Sequence, residues 1–225
     1  CHDEIEFCHE NQCVTISFEH NHNYLSSLYV MAIRTILHHP DERLRTRAAE
    51  VTKFDENIES LIEDMLDTMY DAPGIGLAAT QINIHLRVIV VDCSREEKTP
   101  MHFINPVLLE EVGIEEMKEG CLSFPDIYLM IKRAKLIELK YQNAQGEDKV
   151  VSLEGLASRC VQHEVDHLNG IIFLQRASRL KLDRALKSRP KERAKRIEYE
   201  KRQALAKYIQ SMQSKDDTTN VDTDG

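Results

Sequence analysis

The stretch that most constrains this chain is Gln162-His163-Glu164-Val165-Asp166-His167-Leu168-Asn169-Gly170. On a helix, residues four apart share a face about one turn from each other, so His163 and His167 can aim two imidazole nitrogens at one metal ion. Glu164 then stands beside the ion without binding it. That is where a general base takes a proton from metal-bound water, the mechanical sense of an H-E-x-x-H sequence. Two imidazoles do not complete such a site. A third protein ligand has to come from elsewhere, with the fourth position left to water. The pattern also arises by coincidence, so other stretches must decide it.

A chain of 225 residues with 42% hydrophobic content can bury one good core, and one domain with appendages is the default. No apolar run is long enough to span a membrane and no cleavable leader is visible, which points to a cytosolic protein without a membrane partner. Of six cysteines, Cys1, Cys8 and Cys13 crowd the amino end, while Cys93, Cys121 and Cys160 are scattered singly. In a reducing compartment the scattered ones read as free thiols or a metal ligand. A net charge of −9 argues against nucleic-acid binding, but it hides an asymmetry. Residues 176–207 hold thirteen Lys and Arg against four Asp and Glu, a local +9 that leaves −18 on the rest.

Residues 1–30 mix His, Asn and Cys without periodicity and read as a leader, upstream or artificially added, with Met31 as the natural start. Cys8, Cys13, His20 and His22 are ligand types at spacings no common zinc finger uses. From Ala32 a short apolar run ends at the turn cluster His38-His39-Pro40-Asp41, with both histidines expected at the surface. Ile58, Leu61, Ile62, Met65, Leu66 and Met69 recur at three and four, predicting a helix capped by Asp55 or Asn57 and stopped at Asp71-Ala72-Pro73-Gly74. Strands are expected at Val88–Val91, at Phe103–Pro106 with extension to Leu109, through Leu129–Tyr141 in two pieces, and at Val150–Leu153. Leu156–Leu168 is the motif helix. Helices and strands in no βαβ rhythm predict an α+β fold, mostly antiparallel sheets packed around a central H-E-x-x-H helix, with a further C-terminal helix. Pro190 is expected to break or kink that last helix, and residues 213–225 read as a disordered acidic tail.

Three motifs stand in one order: Gly74-Ile75-Gly76-Leu77-Ala78-Ala79-Thr80-Gln81, Glu119-Gly120-Cys121-Leu122-Ser123-Phe124-Pro125, and the histidine stretch. Together they resemble the three signature motifs of peptide deformylase, the bacterial and organellar enzyme that removes the formyl group from nascent polypeptides. The resemblance covers about Met31 to Leu186 and sets a catalytic domain at 31–178, followed by a basic helical segment at 179–212. It implies that Cys121, His163 and His167 bind the metal and that Glu164 is general base and acid. It implies that the Gln81 amide and the Leu122 N–H hold the formyl oxygen. Ile75, Gly76 and Gly120 would pair with the substrate backbone like an added strand, and Leu156, Cys160 and His163 would line the methionine pocket.

The implied native ion is ferrous iron, with nickel or cobalt as active substitutes and zinc a poor one; an iron-thiolate site implies loss of activity in air as Cys121 oxidises. Tyr128 stands where many relatives carry a cleft-rim Arg, and Arg159 is expected exposed or at the pocket edge. The basic segment reads either as a solvated helix packing through Leu182, Leu186 and Ile197 or as a ribosome-docking element near the exit tunnel. In the second case truncation after Leu180 would spare short formyl peptides. A monomer is expected. The competing readings are an H-E-x-x-H metallopeptidase, whose third ligand is usually Glu or His, and a non-catalytic ribosome-associated metal module.

Overall fold

The computed structural model describes residues 4–9, 12–17, 33–94 and 99–216, in two units, Cys1–Met31 and Ala32–Gly225. In the first, β1 (Glu4–His9) and β2 (Gln12–Ser17) pair antiparallel from Glu4 with Ser17 to His9 with Gln12. The side chains of Cys8, Cys13, His20 and His22 lie outside the described residues.

The second unit carries the three motifs. Asp55 is the cap that acts: its carboxylate accepts from the Asn57 amide at 3.1 Å. Helix α1 (Glu56–Asp71) then buries Ile58, Leu61, Ile62, Met65 and Met69, one stripe of its surface. It closes where Ala72 donates to the Thr68 carbonyl and Gly74 to that of Met69. Strand β3 (Gly76–Ala78) follows, then β4 (Val88–Val91), β5 (Met101–Val112), β6 (Glu115–Glu119), β7 (Leu129–Arg133), β8 (Leu136–Gln142) and β9 (Asp148–Glu154). Five of them form one antiparallel sheet in the order β3-β4-β5-β8-β9, and β6 and β7 form a separate antiparallel pair.

The sheet is covered on both faces, which the alternation of β4 shows directly. Val88 and Val90 pack with α1 residues, Ile89 and Val91 with Val161, Val165 and Leu168 of helix α2 (Gly155–Leu168). A strand buried on both sides reads as four apolar residues in a row. Strand β5 runs further than the expected Leu109 because one register shift against β8 absorbs the Asn105-Pro106 pair and a second accommodates Leu109. The Asn105 side chain meanwhile satisfies both backbone groups of Val51, at 2.9 Å each.

Helix α2 is unusual in burying every residue from Ser158 to Leu168 although seven of the eleven are polar or charged. Each such group needs a partner. Gln162 therefore pairs with the backbone of Ala134 through both ends of its amide, at 3.0 and 2.9 Å. Beyond α2, Gly170 has φ +71°, and a Cβ there would lie 2.3 Å from the Arg45 carbonyl oxygen.

Helix α3 spans Arg179–Asp216 without interruption, so Pro190 does not break it. A proline removes one hydrogen bond, and its flanks, Ala185-Leu186-Lys187 and Lys191 to Ala194, are strong helix formers. Residues 213–216, expected in the tail, continue this helix. Its inward residue is Ala185, packed in a third core with Phe124, Ile127, Leu129, Ile131 and Phe173, while Leu186 and Ile197 are exposed. The small alanine lets the helix backbone approach, and one residue further the chain has already turned by about 100°. Among the described residues no helix is long and apolar enough to cross a membrane.

Candidate active site

Cys121 sits in the turn directly after β6, not within a strand, and its carbonyl accepts from the Phe124 amide at 2.9 Å. That turn swings its sulfur toward α2. There Cys121 Sγ lies 3.2 Å from His167 Nε2, and the ligand atoms of Cys121, His163 and His167 all fall within 4.8 Å of one another. The two rings, four residues apart on the helix, are 5.1 Å between centroids. One thiolate and two imidazoles converging at this separation suit a divalent transition metal with a position left open.

His163 is oriented from behind. Its Nδ1 is 3.1 Å from Glu119 Oε2, which turns Nε2 toward the cysteine. Glu119 is itself held by Arg133 Nε at 2.8 Å, Arg133 Nη2 at 3.1 Å and Arg159 Nη1 at 2.5 Å. Arg133 also donates to Asp166 at 2.9 Å, and Arg176 binds the same carboxylate. The result is a network of alternating charge under the histidine pair, buried except at Arg176. Arg159, expected exposed or at the pocket edge, is 4% exposed and lines the cavity, because Glu119 and the carbonyls of Ile131 and Glu115 claim its guanidinium.

Proton affinities follow from these contacts. Burial alone would raise Glu119, but hydrogen bonds from His163 and Arg133 bring its pKa to about 2. Burial pushes Glu164 up to about 7, against the pull of His163 and Arg133. For His163 burial acts downward, and Cys121, Glu119 and Glu164 outweigh it to give about 10. Burial, with the charges of His163 and Arg133, drives His167 well below the ordinary histidine value. A metal ion taking both imidazoles must displace the His163 proton.

Cys121 and His163 border a cavity of about 640 Å³, within the size range of small-molecule sites. Ile75, Gly76, Gln81, Gly120, Cys121, Leu122, Leu156, Cys160, His163 and Glu164 all line it; His167 stands behind. Glu164 Oε2 is buried with no hydrogen-bond partner among the described residues. The Gln81 amide is fixed at one end, its Oε1 accepting from Ala78 N at 2.8 Å. Its Nε2 is thereby presented near Ser123 Oγ, at 3.1 Å, and Cys121 Sγ, at 3.7 Å.

Gly76 is needed for space. A Cβ there would come within 2.5 Å of Cys160 Sγ and 2.6 Å of Glu164 Oε1. Both atoms are buried and Cys160 Sγ donates to the Ile75 carbonyl at 3.3 Å, so Gly76→Ala should cost about 1 to 3 kcal/mol as well as displacing the Glu164 carboxylate. We expect turnover to fall by about 100-fold, as for a misplacement of roughly 1 Å, with the thermal midpoint lowered by roughly 2 to 12 °C. A variant with full activity would show that the Glu164 position is unimportant.

Glu119 and Asp166 stand inside the sequence motifs with no local mark of their role, and Arg133 lies outside all three motifs. A signal for Arg133 existed: Leu129, Ile131 and Arg133 occupy the inward positions of β7. An arginine at core parity requires a buried acid opposite it.

Known proteins resemble this chain over most of residues 33–183. Residues 33–183 match the family model for polypeptide deformylase. The chain is 47% identical to the peptide deformylase of Neisseria meningitidis over 165 residues, which cover 73% of this chain and 98% of that one. It superposes on the crystal structure of a peptide deformylase from Legionella pneumophila with a TM-score of 0.67 at 43% identity, covering 75% of this chain and 98% of that one. The Met-Ala-Ser-bound structure of a class I type b peptide deformylase from Acinetobacter baumannii matches with a TM-score of 0.63 at 32% identity, over 65% of this chain and 99% of that one. With two thirds of its length matched by the family model and nearly the whole of each relative covered, the chain belongs to the polypeptide deformylase family.

Proposed function

We propose that this protein is a metal-dependent hydrolase that removes the N-formyl group from formyl-methionine at the start of nascent polypeptides, releasing formate. The observation that carries this reading is the convergence of Cys121, His163 and His167 beside a cavity into which Glu164 presents an unpartnered carboxylate oxygen. A relative that binds Met-Ala-Ser, a formyl peptide without its formyl group, supports the substrate class.

In this reading Cys121, His163 and His167 would hold one divalent ion, ferrous iron natively, and that ion would supply Lewis acidity to the hydrolysis. Glu164 takes the proton from that water and returns it to the departing amine. Burial holds its carboxyl near pH 7, and a dication beside it favours the ionised base. The Gln81 Nε2 and the Leu122 N–H aim their dipoles where negative charge develops on the formyl oxygen. Gly76, Gly120 and Ile75 pair with the substrate backbone, and Leu156, Cys160 and His163 receive the methionine side chain. At Ile75 this pairing falls to the N–H, because its carbonyl already accepts from Asp92 N at 2.9 Å and Cys160 Sγ at 3.3 Å.

The discriminating experiment incubates anaerobically purified protein with formyl-Met-Ala-Ser and follows both formate and new peptide amines within the chain. Formate with intact Met-Ala-Ser is expected. Internal cleavage would favour the metallopeptidase reading, and no reaction the binding-module reading.

The cytoplasmic ribosome is the place where such substrates emerge, and the exposed basic residues of α3 suit rRNA phosphates. Replacing Arg184, Lys187 and Lys191 together by Gln should weaken ribosome co-sedimentation and flatten its salt dependence. Unchanged sedimentation would remove this docking role.

A further inference from the structure

Helix α3 reaches the cavity. Its residues Lys181, Ala185 and Arg196 share one face, since fifteen residues complete close to four turns. That face is fixed along its length: Lys181 pairs with Glu116 and donates to the Met130 carbonyl at 3.2 Å, Ala185 is buried in the third core, and Arg196 binds Asp126. The last contact is two-pronged, with Nε 2.7 Å from Oδ1 and Nη2 3.3 Å from Oδ2. Asp126 is 7% exposed and follows Pro125 in the loop after Cys121. Among the described residues, Arg196 is the one α3 residue that lines the cavity holding Cys121, His163 and Glu164.

Outside the histidine cluster the cavity lining balances Lys118 and Arg196 against Asp71 and Asp126, and Arg189 and Arg193 add positive field from beyond it. Asp126 lies in the field of Arg189, Arg193 and Arg196 together. Lys118, 4.5 Å above the Tyr128 ring, lines the same cavity, where Asp71 is the other carboxylate outside the histidine cluster. The Arg196 side chain remains 44% exposed while paired. Glu164 and Arg196 line the same cavity, so a peptide held with its formyl end at Glu164 shares that cavity with the Arg196 guanidinium.

We infer that Arg196 is a specificity-determining residue delivered by the C-terminal helix, and that it favours substrates carrying a carboxylate two residues beyond the methionine. This rests on the deformylase reading and deepens it. The chemistry is that of a guanidinium beside a carboxylate, so the carboxylate can be an acidic side chain or the free end of a short peptide. Truncation after Leu180 then alters short-peptide hydrolysis, contrary to the expectation from a helix used for docking alone.

The test compares full-length, metal-loaded wild type with Arg196→Ala on four substrates: formyl-Met amide, formyl-Met-Ala-Ser amide, formyl-Met-Ala-Ser acid and formyl-Met-Ala-Asp amide. For the wild type we expect KM several-fold lower for the two anionic tripeptides than for the neutral one. In Arg196→Ala that advantage should disappear through KM, with kcat and all values for formyl-Met amide unchanged. Loss of the advantage for the free acid only would assign Arg196 to chain ends, and for the Asp amide only to side chains; either supports a carboxylate subsite. An unchanged preference in Arg196→Ala, or an equal loss on every substrate including formyl-Met amide, overturns the inference. Arg196→Lys should keep part of the preference, which a purely structural role would not produce. A wild type that releases no formate from any of the four would instead contradict the proposed function itself.

Discussion

Glu164→Gln is expected to retain its metal and lose nearly all turnover, on the order of 10² to 10⁴-fold in kcat. The carboxylate is 4% exposed and its Oε2 has no partner among the described residues, so the amide replaces it without breaking a structural contact. Cys121, His163 and His167 are untouched, and metal content should remain at the parental value. The affected step is the proton taken from water and passed to the amine, which a glutamine cannot perform. Metal analysis and formate release on the same sample check the two halves of this expectation. Activity within a few-fold of the parent would show that the proton moves by another route.

The second large effect lies outside the cavity. Arg133 is buried between Glu119 and Asp166, and Arg133→Met would leave both carboxylates short of a cation in the interior. Breaking a buried pair in this way costs about 3 to 5 kcal/mol; because Arg159 and Arg176 remain on the two acids, the lower end, about 3 kcal/mol, is expected here. For a domain of this size that is roughly 6 to 12 °C in thermal midpoint. Glu119 also orients His163, so metal affinity should fall by about 10 to 100-fold. A melt of the anaerobic protein and a competition titration with a chelator measure both. No change in either would mean that the network is incidental to the histidine pair.

The parts of this structure that were legible in the sequence are those set by local periodicity. The stripe from Ile58 to Met69 specified α1, the run Val88–Val91 a strand covered on both faces, and the absence of a βαβ rhythm the antiparallel sheet. Three motifs named residues that the fold then gathered around one cavity. What was not legible depends on partners distant in sequence. Arg159 looks like a surface residue until Glu119, forty positions away, is placed against it. Cys121 looks like a strand residue when its apolar neighbours Leu122 and Phe124 are weighed above Gly120, Ser123 and Pro125, the residues that mark the turn after Glu119. Pro190 suggested an interruption that the helix formers on both sides override. Leu186 and Ile197 are apolar yet outward, because the helix face is selected by Ala185, Lys181 and Arg196 meeting the body of the domain.

The proposed hydrolysis rests on one sulfur and two imidazole nitrogens sharing a divalent ion. X-ray absorption at the metal edge of anaerobically purified protein reads that shell. One sulfur and two nitrogen neighbours with a further light-atom ligand are expected, with loss of the sulfur contribution in Cys121→Ser. A metal shell without sulfur, or one that Cys121→Ser leaves unaltered, would contradict it.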